Sequence, residues 1–221
     1  MNSLIELQTR VFLLPEILKV VDDLRAKRTS TTGVHSESHF RNLAVFRLAT
    51  CCGMRCKEIQ HSQLRDFHFA GERPYVQVRK EATKGPNPRP RKIPLWWDHG
   101  TKFDLEDFWN YRMLQTNDNP TAYFIMHPYQ RDQTKIVERK KMYRRFMNAI
   151  RCLGEERCKQ LSPHSGRHSF CSHMLNIGHS AAAVRDAAGH CNISITNTYL
   201  HALDNGTLPD AFANDDDDWT K

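Results

Sequence analysis

The chain reads as an α+β protein, mostly helical, with a small three-stranded antiparallel sheet in its first half. Two observations predict this. Apolar residues recur at helical spacing on both sides of positions 67–95, and inside that window the period shortens to two. A third observation sets the domain plan. No internal repeat and no interior linker divides the chain, so residues 11–203 form one expected domain. Residues 1–10 are an expected N-terminal extension and 204–221 an acidic tail, with the run Asp215–Asp218 expected to be disordered.

Residues 11–27 carry Leu14, Leu18, Val21 and Leu24 on one helical face, with Pro15 in the first turn. Residues 30–38 are polar, contain Gly33 and predict a loop. Residues 39–54 predict an apolar helix ending at Gly53. FHFAGERPYVQVRK (67–80) predicts two strands around a Gly-Glu-Arg-Pro turn, and TKGPNPRPRKIPL (83–95) a Pro-rich return into a third. Helices are expected at 104–114, 138–152, 163–177 and 180–188.

With 39% hydrophobic and 26% charged residues the 221-residue chain has an ordinary globular composition. Its formal charge is +7 and its pI about 9.1, which favours a polyanionic partner. The charge is concentrated. Residues 131–167 hold eleven Lys and Arg against four acids, and 79–92 hold six against one. The tail 202–221 holds six Asp against one Lys. Lys80, Arg89 and Arg91 in one basic stretch, and Lys140, Lys141, Arg144 and Arg145 in the other, are the expected contacts to double-stranded DNA. The seven cysteines include no CxxC pair, which fits a reduced, intracellular protein rather than a disulfide framework. Glu6, Arg10, Pro15 and Glu16 interrupt the N-terminal apolar run, so neither a signal peptide nor a membrane span is expected.

Four short segments carry chemistry. In SPHSGRHSF, Ser162 is a good N-cap and Pro163 a good first helical residue. His164 and Arg167 then share one face near the positive helix end, where free N–H groups favour an anion. Arg55 follows Gly53 at a helix end, and a guanidinium binds phosphate as a fork. Glu58, one turn later, could orient it. Lys84 in the Pro-rich turn could reach a DNA groove and release a proton, with Lys80 the competing candidate. SAAAVRDAA (180–188) predicts a short helix capped by Ser180 and stopped by Gly189, with His190 just beyond. Tyr199 follows on a helix capped by Asn192 or Ser194.

Arg, His-x-x-Arg, Gly-His and a late Tyr, in that order, resemble the active site of the tyrosine recombinases of the phage integrase family. GMRCKEI resembles the first-arginine box, with Asp66 eleven residues after Arg55, and TKG with RKIPL resembles the lysine hairpin. PHSGRHSF resembles the His-x-x-Arg box, and AGHCNISITNTYLH the closing box. The resemblance implies the family's catalytic-domain fold and a set of roles. Arg55 and Arg167 clamp the scissile phosphate and His190 donates to it. Lys84 is the general acid, His164 assists proton transfer, and Tyr199 is the nucleophile that forms a 3′-phosphotyrosyl link. The reaction implied is site-specific integration, excision or inversion, as in mobile elements, with no metal or other cofactor. The implied partners are DNA, further copies of the chain in a tetrameric synapse, and an accessory DNA-bending protein. The implied location is cytoplasmic and nucleoid-associated in a prokaryote or phage, and otherwise intracellular.

Family members usually carry an N-terminal DNA-clamping domain. Here the first catalytic-domain helix starts near residue 11, so the clamp is expected to be absent, as in the short recombinases that invert fimbrial promoter segments. The stiff PNPRPR insertion also departs from the common hairpin. Three rivals differ in one respect each. A type IB topoisomerase-like enzyme would rejoin the same strand. A non-catalytic DNA-binding regulator would have no use for Tyr199 and both arginines. A zinc module would need finger spacing among the twelve histidines, which is missing.

Overall fold

The computed structural model describes residues 11–83, 89–126 and 135–189. Helix α1 (Leu14–Ser30) begins where Glu16 reaches back to the backbone N–H of Leu13, and it buries Ile17, Val20, Val21 and Leu24. Helix α2 (Gly33–Phe46) packs beside it. The expected loop at 30–38 is therefore shorter than the composition suggested. Thr31 and Thr32 take extended backbone, Gly33 takes φ +56°, and Ser36 Oγ donates to the Arg28 carbonyl at 2.8 Å. Polar residues here form an exposed helix start rather than a loop.

The helix continues into a wide π-turn at Arg47–Cys51, then breaks at Gly53, φ +61°. Short helix α3 (Cys56–His61) follows. The sheet is β1 (Phe67–His68), β2 (Tyr75–Val78) and β3 (Arg91–Pro94), antiparallel in that order. Its register pairs Val76 with Ile93 and Val78 with Arg91. Val76, Val78 and Ile93 face the core, while Lys92 lies over the Tyr75 ring at 4.2 Å on the other face.

Helix α4 (His99–Gln115) starts five residues earlier than expected, because Asp98 caps it by accepting from the Thr101 N–H at 3.0 Å. Helices α5 (Arg139–Ala149), α6 (Glu155–Gln160), α7 (Pro163–Asn176) and α8 (Ala181–Ala188) complete the described chain. The main core joins α1, α2, α4, α5 and the sheet through edge-on aromatic pairs, among them Phe12 with Phe46 at 5.6 Å and Phe40 with Phe108 at 4.9 Å. A second, smaller core of Phe170, Met174, Leu175, Val184 and Ala187 welds α7 to α8, with Trp97 against it. No described helix is long and apolar enough to cross a membrane.

Candidate active site

The site is built where the π-turn, α3 and the start of α7 converge. In the π-turn the Cys52 N–H bonds the Arg47 carbonyl, five residues back, and the Met54 N–H bonds the Leu48 carbonyl. The chain leaves the helix at Gly53, and Arg55 becomes the residue that opens α3. Gly53 is required there twice over: its φ is left-handed, and a Cβ would lie 2.6 Å from the Phe170 ring.

Helix α7 crosses the π-turn at close range. A Cβ on Gly166 would lie 2.7 Å from Thr50 Oγ1 and 3.1 Å from the Ala49 carbonyl oxygen, so only glycine permits this approach. The helix is capped as the sequence predicted, with Ser162 Oγ accepting from the Ser165 N–H at 3.3 Å and Ser165 Oγ from the Ser162 N–H at 3.1 Å. A second side of α7 is latched to the segment just ahead of α1. The Phe12 N–H donates to Ser169 Oγ at 2.7 Å, and His173 Nε2 lies 2.9 Å from the Phe12 carbonyl.

This crossing brings Arg167 to Arg55, 112 positions apart in sequence. Arg167 is 1% exposed, and its Nη1 donates to the Gly53 carbonyl at 2.7 Å. Its Nε and Nη2 have no hydrogen-bond partner among the described residues. A buried donor left so costs about 1–3 kcal/mol, which two phosphate oxygens would offset. Burial, reinforced by the Arg55 charge, lowers the Arg167 pKa to about 10, so the group remains cationic at neutral pH. His164 is half-buried on the same helix, its ring edge-on to His168 at 4.3 Å.

Glu58 is the acid at the centre. It accepts the Arg55 backbone N–H at 2.8 Å and lies 3.4 Å from Arg55 Nη1. Its stronger partner is Arg91, whose Nη1 and Nη2 meet Oε1 and Oε2 at 2.7 Å each. Burial would raise the Glu58 pKa. The Arg91 guanidinium, followed by Arg55 and Arg167, overrides that and holds it at about 2.

Arg91 corrects the sequence reading, which placed it on the DNA-facing surface. Its side chain is 8% exposed and turned inward. The signal was present: Arg91 stands two residues before buried Ile93, and strand alternation puts both on one face. Arg145 departs in the same way. It lies between α5 and α2, with Nη1 3.3 Å from Asn42 Oδ1, and burial and the Arg41 charge lower its pKa to about 10. Lys80, Arg89, Lys140 and Arg144 are exposed, and Lys141 pairs with Glu138 at 3.1 Å. Lys140, Tyr143, Arg144, Met147 and Arg151 line a groove of about 770 Å³ that shares no residue with the arginine pair. Helix α8 ends as expected, at Gly189 with φ +74°. Lys84, His190, Tyr199 and the acidic tail lie outside the described residues. Among the described residues no three His, Cys, Asp or Glu side chains are grouped to hold a metal, His164, His168 and His173 included.

A helical domain with a three-stranded hairpin sheet, bringing buried Arg167 to partly exposed Arg55 at a capped helix start, is a tyrosine-recombinase catalytic domain in fold. The sequence model of the phage integrase family matches residues 19–205, and the chain belongs to that family. It is 28% identical over 159 residues to the tyrosine recombinase XerA of Thermococcus onnurineus (strain NA1), covering 72% of this chain and 50% of that protein. It is 28% identical over 175 residues to the tyrosine recombinase XerC of Chromohalobacter salexigens, covering 78% and 51%. The chain thus spans about half the length of these curated relatives. Among solved structures, that of XerA recombinase superposes with a TM-score of 0.65 at 17% identity, over 92% of this chain and 62% of that one. XerH bound to its difH substrate before cleavage superposes with a TM-score of 0.64 at 17% identity, over 89% and 51%.

Proposed function

We propose that the protein is a site-specific recombinase that cuts and rejoins double-stranded DNA through a 3′-phosphotyrosyl intermediate at Tyr199. Arg167 is the observation that carries this reading: a buried guanidinium, held by one nitrogen to the backbone, with its other two nitrogens left to donate to an anion beside Arg55. Such preorganised donors stabilise the charge that builds on phosphorus-bound oxygens during transfer. In the reaction, the Tyr199 oxygen attacks phosphorus, the bond to the 5′ oxygen breaks, and Lys84 supplies the proton that makes a 5′ hydroxyl. His164 assists removal of the tyrosine proton, and His190 donates to a non-bridging oxygen. A 5′ hydroxyl from a partner strand then displaces Tyr199. The XerH neighbour was solved bound to its difH substrate and the Tn1549 transposon integrase in complex with transposon right end DNA, which supports DNA as the partner and a mobile element as the setting. Exchange between two duplexes further calls for several copies of the chain, with an accessory DNA-bending protein, acting where the DNA is held.

A nicked suicide duplex carrying the target sequence tests the proposal. The wild-type chain should form a covalent protein–DNA adduct, and Tyr199→Phe should abolish it while keeping DNA binding. An adduct that survives in the Phe variant would overturn the assignment. Joining of ends from two differently labelled duplexes separates recombination from a topoisomerase that reseals its own strand.

A further inference from the structure

Two arginines bracket the segment that carries Lys80 and Lys84. Arg79, just past β2, pairs with Asp66 at 2.9 Å and donates from Nη2 to the His61 carbonyl at 2.6 Å. Arg91, the first residue of β3, forks onto Glu58 at the start of α3. Lys57 adds a third tie, its Nζ 3.2 Å from the carbonyl of Thr83, the residue before Lys84. Both legs of the hairpin are therefore fixed to the element that Arg55 opens.

Arg91 reaches further than Arg79. Its Nε donates to the Ala187 carbonyl at 2.8 Å, one of the last carbonyls of α8, which have no partner inside their own helix. The backbone of Gly189 lies against the same group, where a Cβ would come within 2.8 Å of Arg91 Cδ and Nε. One planar cation thus touches three segments: the hairpin leg, the Arg55 turn and the turn that leads to His190. Three in-plane donors at fixed angles are what a guanidinium supplies and an ammonium does not.

We propose that Arg91 is a positioning residue for strand cleavage, holding the start of β3 against the turn that carries Arg55 and using the end of α8 as its third anchor. The proposal rests on the recombinase reading above. Arg91 acts through the β3 leg that follows the Lys84 segment and does not itself bind DNA.

The test is single-turnover adduct formation by the full chain at saturating nicked DNA, with affinity and melting temperature measured separately. Arg91→Lys should keep DNA affinity and lose cleavage rate on the order of a hundredfold, the scale of an ångström-sized misplacement. On a duplex with a 5′-bridging sulfur, whose leaving group needs no proton, Arg91→Lys should recover most of the wild-type rate. A rate loss that tracks a loss of affinity, or an equal deficit on both substrates, would overturn the proposal. If Arg91→Lys does not fold, Arg91→Gln, which leaves Glu58 in place beside Arg55, should show the same split between the substrates; its absence would overturn the proposal equally. Wild-type protein that forms no adduct would instead sink the recombinase reading, so the two failures are distinguishable.

Discussion

Arg167 and Gly53 meet across the site, the Nη1 of one donating to the carbonyl of the other over 2.7 Å. That bond fixes the plane of the guanidinium and so the direction in which Nε and Nη2 point.

Arg167→Lys is therefore expected to bind DNA and fail to cleave it. An ammonium can satisfy the Gly53 carbonyl or a phosphate oxygen, and it cannot present a fork. Loss of one such donor typically costs about two to three orders of magnitude in rate. Adduct yield at saturating DNA measures it. Normal cleavage with weakened binding would reduce Arg167 to a backbone contact.

Glu58 makes stability depend on acid. Its pKa is held at about 2, below the ordinary glutamate value near 4.3. A carboxylate depressed on folding contributes stability above its unfolded pKa and loses it as pH falls through the folded one. Glu58 therefore contributes fully above pH of about 4.5, and the contribution fades toward pH of about 2, on the order of 2–3 kcal/mol in all. Urea unfolding of wild type and Glu58→Gln across that window should show the gap between them closing with acid. A gap that stays constant would mean that folding leaves the Glu58 pKa where it is in the unfolded chain.

Gly166→Ala should destabilise the fold by about 1–3 kcal/mol, because the new Cβ meets Thr50 Oγ1 and the Ala49 backbone, which cannot turn aside. A fall in melting temperature checks this. An unchanged value would show that α7 can lift from the π-turn without cost.

The basic residues of α5 should separate into two behaviours. Lys140→Ala and Arg144→Ala remove exposed charges and should each flatten the dependence of log affinity on log salt by about 0.9. Arg145→Ala should leave that slope alone and lower the melting temperature, since its side chain packs between helices. A slope change for Arg145 and none for the other two would reverse the assignment.

Local signals account for what the sequence revealed. Ser162 with Pro163 announced α7, Ser180 with Gly189 announced α8, and alternation at Tyr75–Val78 announced the central strand. Each depends on residues within a few positions of one another. What escaped was set by contacts between distant segments. Composition showed that Arg145 is cationic, and only the approach of Asn42 decides that it turns inward; Arg91 did carry a local signal, its place two residues before Ile93, which its charge outweighed. The helix start at Gly33 escaped for a related reason, since Ser36 is anchored by a carbonyl eight residues back. The convergence of Arg55 and Arg167 was expected from family resemblance, while its physical basis, two glycines at a helix crossing, joins segments more than a hundred residues apart that no local motif links.

The π-turn at Arg47–Cys51 makes the site sensitive to chain length as well as to side-chain identity. An α-helix advances about 100° per residue, so one residue more or fewer ahead of Gly53 would rotate everything beyond it by nearly a third of a turn. Arg55 would then face away from α7 with its chemistry intact. Single-residue insertions and deletions in this turn should be far more damaging than conservative replacements at the same positions, and a library scored for both kinds of change would map the widened turn as a short tract where length itself is under constraint.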